Sequence, residues 1–250
     1  VGLHSGVAGA GYATVISQGI SGLLCLFYLY KKFEIMRFQQ GECRLELKRC
    51  SRLLSIGLPM ALQFSITAIG SIILQTSVNS LGSLAVTRVT APQQICAIVM
   101  GPLESLGITM ATFCGQNLGA GEIRRIREGI KKSVLYSWIW CLDVIVVTWL
   151  FAPDLIYLVT GSSNPVVIKN AVAYLRFDTL FYFVTALICV IRNAMQGIGD
   201  HITPLVSSSL ELVGKVVFAL IFVPLLGYRG VILAEPVSWF IMVVPLLIQI

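Results

Sequence analysis

Apolar runs of twenty or more residues alternate along the chain with short polar connections. The runs cover residues 7–30, 53–78, 92–114, 134–159, 171–194, 204–226 and 231–250. A helix needs about 20 mostly apolar residues to cross a bilayer, so each run predicts one transmembrane helix. The expected fold is an all-α polytopic membrane protein, a bundle of about seven spans. The longest polar stretch, 31–52, separates the first span from a block of six. It is read as a cytoplasmic basic linker between a span at 1–30 and a six-helix lobe at 53–250.

Composition agrees with this reading. Charged residues make up 12% of the chain and the mean hydropathy is +0.86, whereas a soluble domain carries about 25% charged residues. The net charge of +6 does not indicate nucleic acid, because the basic residues cluster between apolar runs. Segment 31–52 has seven basic and three acidic residues, a net of +4, and 116–132 has five and two, a net of +3. Arg88 is the sole charge in 81–91, and 160–170 reads "TGSSNPVVIKN". Positive loops stay on the cytoplasmic side. Segments 31–52, 116–132 and 192–203 are therefore placed inside, and the C-terminus with them.

The cysteines form no CxxC pair, and Cys25, Cys96, Cys114, Cys141 and Cys189 lie within apolar runs. They are read as small buried side chains, with neither zinc nor a disulfide framework implied. The chain opens at Val1, with no Met and no charged leader. The first span is accordingly expected to be the tail of a preceding unit.

The stretch "GQNLGAGEIRRIREGIKK", 115–132, has the glycines of a phosphate loop but not its chemistry. No Lys-Ser/Thr pair follows them, and a membrane helix precedes in place of a strand. A mechanical role is expected. Gly115, Gly119 and Gly121 end a helix and turn the chain. Gln116 and Asn117 satisfy freed carbonyls. Arg124, Arg125, Arg127, Lys131 and Lys132 lie along the headgroups.

At this point a family resemblance is visible. "ESLGITMATFCGQNLGAGEIRRIREG" resembles the cytoplasmic end of the eighth helix of the multidrug and toxic compound extrusion (MATE) transporters. "IGLPMALQFSITAIGSIILQTSVNSLG" resembles the seventh helix, "NAMQGIGDHITP" the tenth helix with its following loop, "GYRGVILAEPVSW" the last hairpin, and "GVAGAGYATVISQ" the sixth helix. The resemblance keeps this order across nearly the whole chain. It implies a twelve-helix protein of two six-helix lobes, of which this chain carries the sixth helix, the linker and the C-terminal lobe. Five helices of the N-terminal lobe are missing. In some branches of the family that lobe holds the acids that bind the coupling ion.

An ionisable residue inside a span costs about 2.5–3.5 kcal/mol on insertion scales and is a functional candidate by default. Glu104 follows Pro102 by two residues, with Gly101 and Gly107 close by. Loosened helix and free carbonyls beside a carboxylate suit sodium, and a dry carboxyl suits a proton. Asp178 lies in "YLRFDTLFYF" among Tyr174, Phe177, Phe181, Tyr182 and Phe183, where a flat cation finds both charge and aromatic faces. The resemblance implies a functional acid in this tenth helix, and Asp178 is the matching position. The structural alternative for Asp178 is an ion pair with Arg176. Glu211 and Lys215 are four apart and share a helix face, which predicts an internal ion pair. Asp143 has no partner in its own helix, and Glu235 is read as a wet interfacial acid. Gln75 and Asn79 share one face, with Gln63 within roughly 120° of it. These amides either line a cavity or tie helices together.

The expected function is secondary antiport: export of cationic or amphipathic compounds in exchange for sodium or protons, by rocking of two lobes about a central cavity. The substrate class comes from the resemblance alone. No cofactor is expected beyond the coupling ion, and no metal site is assigned. The implied partners are a small-molecule substrate, the missing N-terminal lobe and the bilayer. The complete protein is expected to be monomeric in the bacterial plasma membrane. A related flippase or polysaccharide exporter is the alternative, favoured by an unusually apolar cavity. An intramembrane aspartyl protease using Asp178 and the "GIGD" of Asp200 is the distant one. Those acids are 22 residues apart, about 33 Å along a helix, too far to share a water.

Overall fold

The computed structural model describes residues 6–34, 46–161 and 164–249. Half of the basic linker, 35–45, lies outside the described residues, as do Ser162 and Ser163 in the loop after the fourth helix. Among the described residues the chain is helical, without strands. The helices are α1 Gly6–Lys32, α2 Leu47–Ser80, α3 Ser83–Gly119, α4 Ile123–Thr160, α5 Pro165–Thr179, α6 Tyr182–Gly197, α7 Ile202–Val217, α8 Val223–Leu226 and α9 Tyr228–Ile248, with a π-helical segment Phe218–Phe222 between α7 and α8. Five helices and the run from α7 through α8 are long and apolar enough to cross a membrane, and α5 with α6, bent by 49°, is together long enough for a broken span or a re-entrant loop.

The chain divides into two compact units, Val1–Arg52 and Leu53–Ile250. In the first, α1 carries Lys31 and Lys32 in its last turn. The second is a bundle in which α3 and α6 pack most extensively, with α4 and α5 against them, and α9 lies along α7 and α6. One apolar cluster joins α3, α4 and α6 at the end where α3 finishes, through Met110, Cys114, Ile126, Val190 and Ala194. A second, at the other end, gathers Leu74, Val78, Val89, Tyr174, Phe218 and Val231 from α2, α3, α5, the π segment and α9.

Several sequence expectations change here. The fifth expected span, 171–194, is broken at Leu180 and Phe181 rather than continuous. Neither glycine nor proline causes the break. The Thr179 hydroxyl donates to the carbonyls of Leu175 (2.9 Å) and Arg176 (3.1 Å) just before the break. Helix α3 runs unbroken through Pro92, Gly101, Pro102 and Gly107, and Pro102, which has no N–H, leaves the Ile98 carbonyl without its helix donor. Gly107 is instead a contact point, where a Cβ would lie 2.6 Å from Asn193 Nδ2 on α6. Gly115 also does not end the helix. It packs inside α3, where a Cβ would lie 3.1 Å from the Gly197 carbonyl oxygen. The turn is made by Gly121, at φ +75°. Thr203, before Pro204, lies in the first turn of α7. Pro204 is tolerated there because first-turn N–H groups have no partner to lose.

Asp200 starts α7. Its Oδ1 accepts the N–H groups of Ile202 and Thr203, both at 3.1 Å, and its Oδ2 accepts the Thr203 hydroxyl at 2.6 Å. Partial burial pushes this carboxyl up, but those three hydrogen bonds outweigh it and hold the group below its usual range. The basic residues of 116–132 form the first turns of α4, where Arg124 pairs with Glu128 at 2.9 Å. Asn117 Nδ2 donates back to the Phe113 carbonyl at 2.7 Å.

Candidate functional site

The ionisable residues in the middle of the lobe fall into two groups. The first surrounds Asp178, in the last turn of α5 beside the helix break. Its carboxylate is buried, at 5% exposure. Oδ2 accepts from the Cys96 thiol of α3 at 3.5 Å, and Oδ1 has no partner. Tyr174, one turn earlier, is buried beside it. The Tyr182 hydroxyl stands beside both Asp178 and Cys96, close enough to act on the carboxylate and the thiol, without the geometry of a full hydrogen bond. A carboxylate left with an unused oxygen in a dry interior is costly, and a cation or proton would relieve it.

The aromatic surround expected for Asp178 is only partly present. Tyr174 and Tyr182 are there. Phe177 instead stacks on Phe181 at 5.1 Å between centroids, Phe181 packs edge-on against Phe240, and Phe183 against Trp138. Arg176 does not pair with Asp178 either. Its Nη2 donates to the Trp149 carbonyl at 2.7 Å and its guanidinium lies over the Trp149 ring.

The second group is built on α7, thirteen residues from Ile202 and so about 20 Å into the span. Glu211 and Lys215 pair at 2.9 Å, as the i, i+4 spacing predicts. Lys215 also reaches Glu235 of α9 at 3.2 Å. Glu235 is therefore not a wet interfacial acid. Its side chain is 19% exposed and shares the buried ammonium. Helix α2 closes the group: Thr67 donates to Glu211 Oε2 at 3.3 Å, and the Ser71 hydroxyl meets Lys215 Nζ at 3.4 Å. Beside this triad is a cleft of about 290 Å3 whose polar lining is Ser71, Gln75, Gln93 and Glu235. The Asp178 and Glu235 carboxylates repel each other, which places the two groups in one electrostatic neighbourhood.

The amides separate by role. Gln75 lines the cleft and donates to Asn79 at 3.0 Å, with Asn79 exposed near the helix end. Gln63 is 2% exposed and lies elsewhere: it accepts from Gln196 Nε2 at 2.7 Å and ties α2 to α6. Glu104 is exposed on α3 and joins neither group, and Asp143 is exposed on α4. Among the described residues, no three His, Cys, Asp or Glu side chains are placed to hold a metal ion. Sequence reasoning missed Thr67, Ser71, Gln93, Cys96 and the role of Glu235. Thr67, Ser71 and Gln75 recur at intervals of four, and that polar stripe was a readable signal.

Long apolar helices around buried, partly unsatisfied charges define a multi-pass membrane protein. The family model MatE matches residues 59–221, and the chain belongs to that family, whose members are transporters. Among curated proteins it is similar to the probable multidrug resistance protein YpnP of Bacillus subtilis (strain 168), 28% identical over 231 residues, covering 90% of this chain and 50% of that protein. It is also similar to a FAD transporter of Shewanella oneidensis, 21% identical over 93% of this chain and 51% of that one. The crystal structure of MATE in complex with MaL6 shares the fold with a TM-score of 0.86 at 24% identity, covering 98% of this chain and 56% of that one. An outward-facing multidrug resistance MATE transporter gives 0.83 at 23%. The chain spans about half the length of the curated relatives it matches.

Proposed function

We propose that this chain supplies the sixth helix, the cytoplasmic linker and the C-terminal lobe of a secondary antiporter in the plasma membrane. With an N-terminal lobe, it exports cationic or amphipathic compounds in exchange for sodium or protons, and the C-terminus lies inside. The observation that carries this reading is Asp178, a buried carboxylate with one unsatisfied oxygen next to a helix break. Such a group exchanges a proton or cation with the aqueous side each time the break opens and closes. Asp178 is the coupling residue. The cleft of Ser71, Gln75, Gln93 and Glu235, walled also by Ile72, Leu74 and Val78, receives the substrate. Glu104, exposed and unpaired within the lobe, is retained as a second coupling candidate.

The test is ethidium efflux from pump-deficient cells expressing the complete reading frame, with sodium and proton gradients varied separately. Asp178→Asn should abolish gradient-driven efflux at normal expression, and the gradient that matters names the ion. Normal efflux in both Asp178→Asn and Glu104→Gln would move coupling out of this lobe. No efflux of several cations by the parent would remove the multidrug reading.

A further inference from the structure

Lys215 does more than pair with one acid. Its Nζ meets Glu211 Oε1 at 2.9 Å, Glu235 Oε1 at 3.2 Å and Ser71 Oγ at 3.4 Å. An ammonium has three donors and no acceptor, so each N–H has one oxygen, and the oxygens come from α7, α9 and α2. The surroundings are shaped to the side chain. At Gly70 of α2, a Cβ would lie 3.1 Å from Lys215 Cδ, so the stem crosses α2 where a side chain is absent. Thr67 holds the remaining oxygen of Glu211. The oxygens stand about 3 Å from their centre, the length of an N–H···O bond. A calcium ion draws its oxygens in to 2.3–2.6 Å. Ser71 and Glu235 also form the wall of the cleft, so the site is reachable from outside the lobe.

We propose that Lys215 is a tethered counter-cation: its ammonium fills a three-oxygen cradle at the floor of the cleft, and that cradle is itself a binding site for a small primary ammonium ion. The lysine leaves the group at a net charge of −1, from two carboxylates and one ammonium. On the transport reading it is a specificity-determining residue. An incoming ammonium meets Glu235 already engaged and binds only as Lys215 falls back on Glu211.

The test uses the complete reading frame purified in detergent and follows thermal unfolding. Lys215→Ala deletes three carbons and the nitrogen, which n-propylammonium matches atom for atom. The variant should lose about 10 °C in Tm, as expected when one partner of a buried pair is removed. Propylammonium should restore at least half of that loss, saturably, and leave the parent unchanged. Tetramethylammonium, with the same charge and no N–H, and sodium at equal ionic strength should restore none. Glu235→Gln in the Lys215→Ala background should abolish the rescue. A Lys215→Ala protein as stable as the parent overturns the proposal, as does rescue by tetramethylammonium equal to that by propylammonium. If Lys215→Ala is recovered only as aggregate, the same salts added during solubilisation decide: propylammonium alone should yield monodisperse protein, and equal yields overturn the proposal. The readout is binding, so absence of efflux leaves this result standing, and failed rescue leaves the transport reading standing.

Discussion

Replacing Gly197 with alanine tests how the lobe is held together. At Gly197 a Cβ would fall 2.9 Å from both the carbonyl carbon and the Cα of Ala111, and closer still to the carbonyl oxygen. These are backbone atoms of α3, so no rotamer change makes room. Bringing the contact to an ordinary 3.4 Å moves α3 and α6 apart by at least about 0.5 Å, and such a gap forfeits about a quarter of each contact's well. Met110, Cys114, Val190 and Ala194 pack at the same end of this interface. About 50 atom pairs at 0.1–0.2 kcal/mol, each losing a quarter, give ~2 kcal/mol, within the usual cost of overpacking. Between membrane helices no hydrophobic term compensates, because lipid is as apolar as the partner helix. Gly101→Ala is the control. No heavy atom lies within 4 Å of its Cβ position, so it gains at most about 1 kcal/mol of helix propensity. In thermal unfolding of the purified complete reading frame, Gly197→Ala should melt about 4–8 °C below the parent, and Gly101→Ala at or above it. A Gly197→Ala protein as stable as Gly101→Ala would refute the argument that close backbone approach fixes this interface.

Two further outcomes are expected. Gln63→Leu or Gln196→Leu alone should cost about 1–3 kcal/mol, because the first strands the half-buried Gln196 amide and the second the buried Gln63 amide, and the double variant should cost less than the sum, with a coupling of about 1 kcal/mol in a double-mutant cycle. Asp200→Ala should cost about 1 kcal/mol through loss of the start of α7. Because its folded carboxyl lies below the unfolded value of about 3.9, its contribution is complete above that pH and lost as pH falls through the folded value. The Asp200→Ala penalty measured by denaturant at pH 7 should therefore shrink towards pH 3, and a pH-independent penalty counts against the hydrogen-bonded cap.

The spans were legible because apolar length is a one-dimensional property, and 231–250 or 53–78 needs nothing else to be read. The break in the fifth span was not, because residues 174–186 carry neither Gly nor Pro to announce it. The Glu211 and Lys215 pair was legible for the same reason as the spans: four residues on one helix set the geometry locally. Glu235 was misread because its partner lies 20 residues away on α7 and depends on how α7 and α9 are brought side by side. Gln63 and Gln75 looked alike on one helix, yet only the packing of α6 turns Gln63 into a tie. The glycines divide likewise. Gly121 announces a turn by local conformation, whereas Gly107 and Gly115 are needed for close packing, which the sequence records only as spacing.

The two charged groups differ in whether they carry their own cation. Lys215 supplies one to Glu211 and Glu235, and removing it leaves two carboxylates to be neutralised from outside. Asp178 has a weak thiol donor on one oxygen and nothing on the other. A group that is already paired holds its charge through a conformational change, because releasing the partner would expose two desolvated ions at once. An unpaired one must take up a proton or ion whenever it is sealed from water and can release it whenever it is wetted. On the proposed transport cycle, Asp178 therefore changes state in each turnover, and the triad stays charged and resets only when an ammonium competes for its cradle. The two rest on different elements. Helix α5 ends beside Asp178, and α2 reaches Glu211 and Lys215 through Thr67, Gly70 and Ser71. Asp178 and Glu235 also repel each other. Neutralising Asp178 removes a negative charge from that neighbourhood and so weakens the hold of the triad on its cation, by electrostatics alone and without any movement of the backbone between them.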